Sequence, residues 1–220
     1  MHARRTTRRG YTAVEVMMSV ALLGVGAAGV MSMQKTAIRA NVQARRIDLA
    51  TSLARGWIER LRTDITAWTL PSASDANQNN VSRARFISDG SSGTFIDSGR
   101  APGDEGWYLP DQGLSPPTGG TIQSPGFDVL GRDVALTSSD LYYCAHVKLD
   151  CLSRTATSSG VATTCSLLRV NVRVFWPKDG GAAPLRSYCS RDTVAAVQDA
   201  TGSPYHFVYA VSALRQNVAP

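Results

Sequence analysis

The sequence contains no P-loop, no H-E-x-x-H and no G-x-S-x-G. Those absences remove the usual signatures of phosphate binding, zinc proteolysis and serine hydrolysis. Histidine is scarce: His2, His146 and His206 are the whole supply, and none accompanies a nucleophile motif. His146 and His206 fall within strand patterns and are read as structural. None of the four cysteines forms a C-x-x-C pair, which argues against a zinc site. Asp75-Ala76-Asn77-Gln78-Asn79-Asn80 opens like a calcium loop. Asn80 stands where that loop needs glycine and Phe86 where it needs glutamate, so a polar turn is the better reading. Asn80-Val81-Ser82 matches a glycosylation sequon by pattern only. A basic stripe is also missing. The net charge is +6, but Arg4, Arg5, Arg8 and Arg9 supply four of it, and subtracting four from six leaves +2 for the rest. Nucleic acid is not expected as a partner. The chain is read as a non-enzyme without metal or cofactor.

Charge is scarcest near the start. From Tyr11 to Gln34 the only charged residue is Glu15. The run is long enough to span a bilayer as a helix, and the arginines before it read as a cytoplasmic anchor. A secretory signal has a shorter apolar region followed by its cleavage site. Here the better break precedes the apolar run, at Arg9-Gly10-Tyr11. A carboxylate in a membrane helix costs about a few kcal/mol at the centre and less near the interface, so Glu15 needs a reason. A cut after Gly10 would give Tyr11 a new α-amine, and the amine of a neighbouring subunit would neutralise Glu15 and set the register between helices.

Arg8-Arg9-Gly10-Tyr11-Thr12-Ala13-Val14-Glu15-Val16 resembles the class III leader of type IV prepilins. In that family a basic leader ends in glycine, and the mature chain begins with an aromatic residue and has glutamate fifth. Here tyrosine replaces the usual phenylalanine. The resemblance implies cleavage after Gly10 by prepilin peptidase, N-methylation of Tyr11, and an assembly role for Glu15. It implies the type IV pilin fold, an α+β arrangement of a long N-terminal helix packed on an antiparallel β-sheet head. The expected partners are other pilins or minor pilins through the helix, prepilin peptidase, the inner membrane and a tip adhesin. The expected location is the bacterial inner membrane, with the N-terminus cytoplasmic and the head periplasmic, and then the pilus at the cell surface. The expected function is that of a minor pilin in a priming or tip complex supporting assembly, adhesion or twitching motility. Two other readings stay open: a minor pseudopilin of type II secretion, and a membrane-anchored periplasmic domain that never polymerises.

Gly24-Val25-Gly26-Ala27-Ala28-Gly29 matches G-x-G-x-x-G, but a dinucleotide site needs a preceding buried strand. Gly24, Ala28 and Ser32 instead give small-xxx-small spacing for close helix packing. Beyond Gln34 the helix turns amphipathic. Leu49, Leu53, Trp57, Leu61 and Ile65 recur every four residues, with Trp68 after them and Ala50, Ala54 and Ile58 widening the stripe. Arg45, Arg46, Arg55, Arg60 and Arg62 are expected mostly on the other faces, and Pro71 marks the end. One helix from Thr12 to Thr69 would run roughly 85–90 Å. The alanine-rich second half, with Gln34 and Glu59, resembles the PilV-type minor pilins.

The expected division is a leader at 1–10, a membrane or filament-core half-helix at 11–34, an amphipathic half at 35–70, a variable loop region at 71–140 and a disulfide-bearing sheet at 141–220. Residues 71–140 are rich in glycine, proline, serine and aspartate, with short strands expected at Ala84–Ile87, Thr94–Ile96, Trp107–Leu109 and Phe127–Leu130. Leu141–Leu149 and Leu168–Trp176 alternate with period two, the pattern of a sheet buried on one face, and a last strand is expected over Tyr205–Leu214. Val170 to Pro177 resembles the closing hairpin of PilV-type heads. Four cysteines in an exported chain favour two disulfides. Cys151 and Cys165 would face each other if the first two strands form a hairpin, which leaves Cys144 with Cys189; four cysteines allow three connectivities.

Overall fold

The computed structural model describes residues 10–69, 86–87, 106–110, 124–156, 163–178, 185–190, 197 and 202–215. Side chains at 67–69, 154–156, 163–166 and 186 fall outside that set. The leader up to Arg9, the strand expected at Thr94–Ile96, the polar turn and the sequon also lie outside the described residues. The chain divides into two compact units, Met1–Arg46 and Ile47–Pro220.

A single helix, α1, runs from Ala13 to Thr69. In the first unit its side chains are nearly all exposed, and it is long and apolar enough to cross a membrane. In the second unit the stripe read from the sequence is the core: Ala50, Ala54, Trp57, Ile58, Leu61 and Ile65 are buried against the sheet, with Leu49 and Leu53 at the margin.

The sheet has strands β1 (Trp107–Tyr108), β2 (Gly126–Phe127), β3 (Asp133–Val134), β4 (Tyr143–Ala156), β5 (Thr163–Pro177) and β6 (Tyr205–Arg215). Its order is β3-β2-β4-β5-β6, with β1 also paired to β4, and every described pairing is antiparallel. Ala145 faces Val174, Val147 faces Val172 and Leu149 faces Val170. Beyond them Val208 lies beside Val174 and Leu214 beside Leu168. This face, rich in β-branched residues, covers the helix stripe, as the alternation predicts.

The opposite face departs from expectation. Cys144, Phe175 and Tyr205 form a second core with Trp107, Leu109, Leu185, Cys189 and Val197. One end of the sheet is therefore buried on both sides. Along β5 the outer face grades from buried Phe175 and Arg173 through half-buried Asn171 to exposed Arg169.

The region 71–140 is not only a variable loop. Phe86, Ile87, Tyr108 and Phe127 enter the main core. Phe86 and Ile87 form a turn instead of ending a strand; the Phe86 N–H donates to Asp64 Oδ2 at 2.7 Å, and the Tyr108 hydroxyl donates to the Phe86 carbonyl at 2.9 Å. The strand expected at Phe127–Leu130 stops at Phe127 because Asp128 closes an Asx-type turn, accepting from the N–H groups of Leu130 and Arg132 at 2.8 and 2.9 Å. Gly131 in that turn has φ +79°, and a Cβ there would lie 2.8 Å from Leu49 Cδ1. Arg60 was expected on a solvent face. Instead its guanidinium lies 5.0 Å from the Trp57 ring centroid and donates to both oxygens of Asp133 at 3.0 and 2.9 Å. The aliphatic stem accompanies the core while the head finds a carboxylate.

Candidate functional site

The residues singled out by the sequence lie at the start of α1. Gly10, Tyr11 and Thr12 precede the helix in non-helical backbone, and all three are exposed. Thr12 is the N-cap. Its carbonyl accepts from the N–H groups of Glu15 and Val16 at 3.1 and 3.2 Å, and its hydroxyl from the Glu15 N–H at 3.3 Å. Thr12-Ala13-Val14-Glu15 has the T-x-x-E spacing of a capping box, the sequence signal for this helix start. The Glu15 carboxylate thus sits in the first helical turn, where the dipole favours negative charge by roughly 0.3–1 kcal/mol.

Around that carboxylate the surface is apolar and open. Tyr11, Val14, Val16, Met17 and Met18 are all more than half exposed, and Leu22 and Leu23 reach 74%. No ion pair among the described residues involves Glu15. Two hydroxyls in this stretch are satisfied locally: Ser19 Oγ donates to the Glu15 carbonyl at 2.8 Å, and Thr36 Oγ1 to that of Ser32 at 3.2 Å. A Cβ on Gly10, Gly24, Gly26 or Gly29 would meet nothing within 4 Å. Among the described residues nothing therefore demands glycine at these positions.

The cysteines act in the head. A disulfide joins Cys144 and Cys189, which are buried in the second core. It ties a short 3-10 helix at Leu185–Ser187 and the residues after it to β4. Cys151 is also disulfide-bonded. The Cys165 side chain, its expected partner, lies outside the described residues. The two positions lie within the strands of the hairpin, which run on to Ala156 and back from Thr163, and do not face each other directly. Cys151 pairs across the ladder with Leu168 and Cys165 with Arg154, with register shifts around Ser153.

His146 and Arg173 face each other on β4 and β5, and both are buried. Arg173 Nε donates to His146 Nδ1 at 3.2 Å, and Nη2 lies 3.0 Å away, so Nδ1 is the unprotonated nitrogen. Arg173 also lies 4.5 Å from the Trp107 ring centroid, and His146 stands edge-on to Phe175 at 4.8 Å. The pair thus packs against Phe175 and Trp107 of the second core.

Titrations are displaced at Asp128, Asp133 and Tyr205 in the head. Burial pushes the Asp128 carboxyl up, but the hydrogen bonds from Arg132 and Leu130 and the Arg132 charge outweigh it, leaving it below its ordinary 3.8. For Asp133 burial wins over the Arg60 contacts and the carboxyl is raised. Burial, with Tyr188 beside it, pushes the Tyr205 hydroxyl up to about 12.

Compared with models of known protein families, with curated proteins and with solved structures, the chain matches none.

Proposed function

We propose that this chain is a minor pilin of the PilV type, cut after Gly10 by prepilin peptidase, N-methylated at Tyr11 and incorporated into a type IV pilus within a priming or tip complex. The observation that carries this reading is Glu15: a carboxylate at the start of an exposed apolar helix, with no ion-pair partner among the described residues. An acid so placed is neutralised only from outside, and the α-amine at Tyr11 of a neighbouring subunit is the cation that cleavage supplies. Before assembly the helix holds the chain in the inner membrane. Afterwards the same apolar surface packs among other subunits, with Gly24, Ala28 and Ser32 allowing close approach.

The deciding measurement is the N-terminus of the protein recovered from cells. A chain beginning at methylated Tyr11 is expected. An intact protein that retains residues 1–10 and never enters a filament sinks the proposal. Gly10→Val is a clean probe because a side chain there meets nothing among the described residues; it is expected to block processing and incorporation while the head still folds. Glu15→Val is expected to insert and be cut, yet to be depleted from sheared filaments.

A further inference from the structure

The stretch of α1 directly after the apolar run has chemistry of its own. From Val16 to Ile47 there is no acidic residue, yet Lys35, Arg39, Arg45 and Arg46 all fall between positions 35 and 46. Lys35, Arg39 and Arg45 carry no ion pair among the described residues, and their side chains are exposed. Lys35 and Arg39 are one turn apart and share a face. Ile38 beside them is 63% exposed, an apolar side chain set among cations.

Helical rise sets the depth of these groups. The apolar run Ala13–Met33 spans about 31 Å at about 1.5 Å per residue, and a hydrocarbon core is about 30 Å thick. Lys35 and Arg39 then lie about 3 and 9 Å beyond Met33 along the axis. The headgroup layer on each side is about 5–8 Å deep. Both cations reach it, their flexible stems adjusting the last few ångströms. Ile38 lies at the level where amphipathic segments bury an aliphatic side chain beside charged heads.

We propose that Lys35 and Arg39 form a docking site for anionic phospholipid headgroups in the leaflet where α1 leaves the membrane. The site clamps the helix at a defined depth, in addition to its apolar attraction for lipid. Extraction of the subunit must break these phosphate contacts. The proposal rests on the membrane-spanning element of the reading above and not on pilus assembly.

The test uses the full chain in detergent, titrated with phosphatidylglycerol or phosphatidylcholine and read by native mass spectrometry. One basic side chain at an anionic surface contributes about fivefold, so two give a preference of about 25-fold for phosphatidylglycerol. Lys35→Gln with Arg39→Gln is expected to reduce that preference to less than about twofold, while Arg55→Gln leaves it unchanged. Inorganic phosphate at equal concentration is expected not to compete; if it displaces the lipid fully, the site is a phosphate site and the proposal falls. Equal affinity for the two lipids, or a preference that survives the double substitution, overturns it. So does a wild-type chain without lipid preference whose Lys35 cross-links to a carboxylate of a second subunit. Alkaline carbonate extraction of native membranes separates the two failures. A chain that washes out refutes the membrane-spanning reading; one that stays but shows no preference refutes only the headgroup site.

Discussion

Residues 10–46 and residues 47–215 treat apolar side chains in opposite ways. In the first, Met17, Leu22, Leu23 and Val25 are each more than 70% exposed. In the second, Trp57 and Leu61, on the same helix, are fully buried. Helical structure and aliphatic side chains do not by themselves distinguish the two, since α1 carries both through Ala13–Thr69. The difference lies in where the covering surface comes from. The head supplies its own, from β4, β5 and segments between Phe86 and Phe127. Among the described residues the N-terminal stretch has none, and its long apolar helix is compatible with a membrane.

The strongest way to break this comparison is a pair of truncations. Trp57→Ala removes a wholly buried indole and is expected to cost the head about 3–5 kcal/mol. Leu22→Ala is expected to change head stability by less than about 0.5 kcal/mol. Thermal unfolding of the full chain in detergent, followed by near-ultraviolet circular dichroism, measures both. Equal losses would mean that the two regions are not energetically separate.

Next in size is the disulfide. Cys144 and Cys189 close a loop with a sequence separation of 45. Replacing both with serine is expected to cost about 4 kcal/mol in the chain-entropy model. Chemical denaturation with and without reductant checks this: the doubly substituted head should be insensitive to reductant at this bond.

A pair of glycines sharpens the contrast. Gly131→Ala is expected to destabilise the head by about 1–3 kcal/mol, since φ is +79° and the new Cβ meets Leu49. Gly26→Ala has open space around it and is expected to favour helix by about 1 kcal/mol, with no effect on the head. Opposite signs in helix content and head unfolding separate the two regions in one assay.

The smallest effect is in pH. Asp128 has a folded value below 3.8, so its contribution is complete above the unfolded value and is lost as pH falls through the folded one. Asp133 has a raised value and the opposite sign: its contribution falls as pH rises through that value. Asp128→Asn should flatten the acid-side loss of stability below about pH 4 and Asp133→Asn should steepen it, as unfolding midpoints from pH 2 to 6 would show.

The inner face of the head was legible because its determinants are local and periodic. Leu49 to Ile65 repeats with the helix, and Tyr143 to Leu149 and Leu168 to Trp176 alternate with the strand, so direction and burial follow from spacing alone. The outer face was not. Cys144, His146, Arg173 and Phe175 alternate with the inner residues as a solvent face would, and their cover comes from Trp107, Leu109, Leu185 and Val197, far away in sequence. The role of Arg60 was hidden for the same reason, since its carboxylate lies 73 residues on. The ladder offset of the Cys151 and Cys165 positions depends on register shifts around Ser153, which no periodicity announces. At the N-terminus the spacing of Gly10, Tyr11 and Glu15 drew attention to cleavage and away from the Thr12 cap between them.

That cap has a consequence for scission. The first turn is closed by Thr12 alone, and the described hydrogen bonds at the start of α1 use no atom before it. The cut proposed between Gly10 and Tyr11 would therefore leave the cap's hydrogen bonds intact. The chain so shortened would carry a single α-ammonium at Tyr11 in place of the four arginines of residues 1–10.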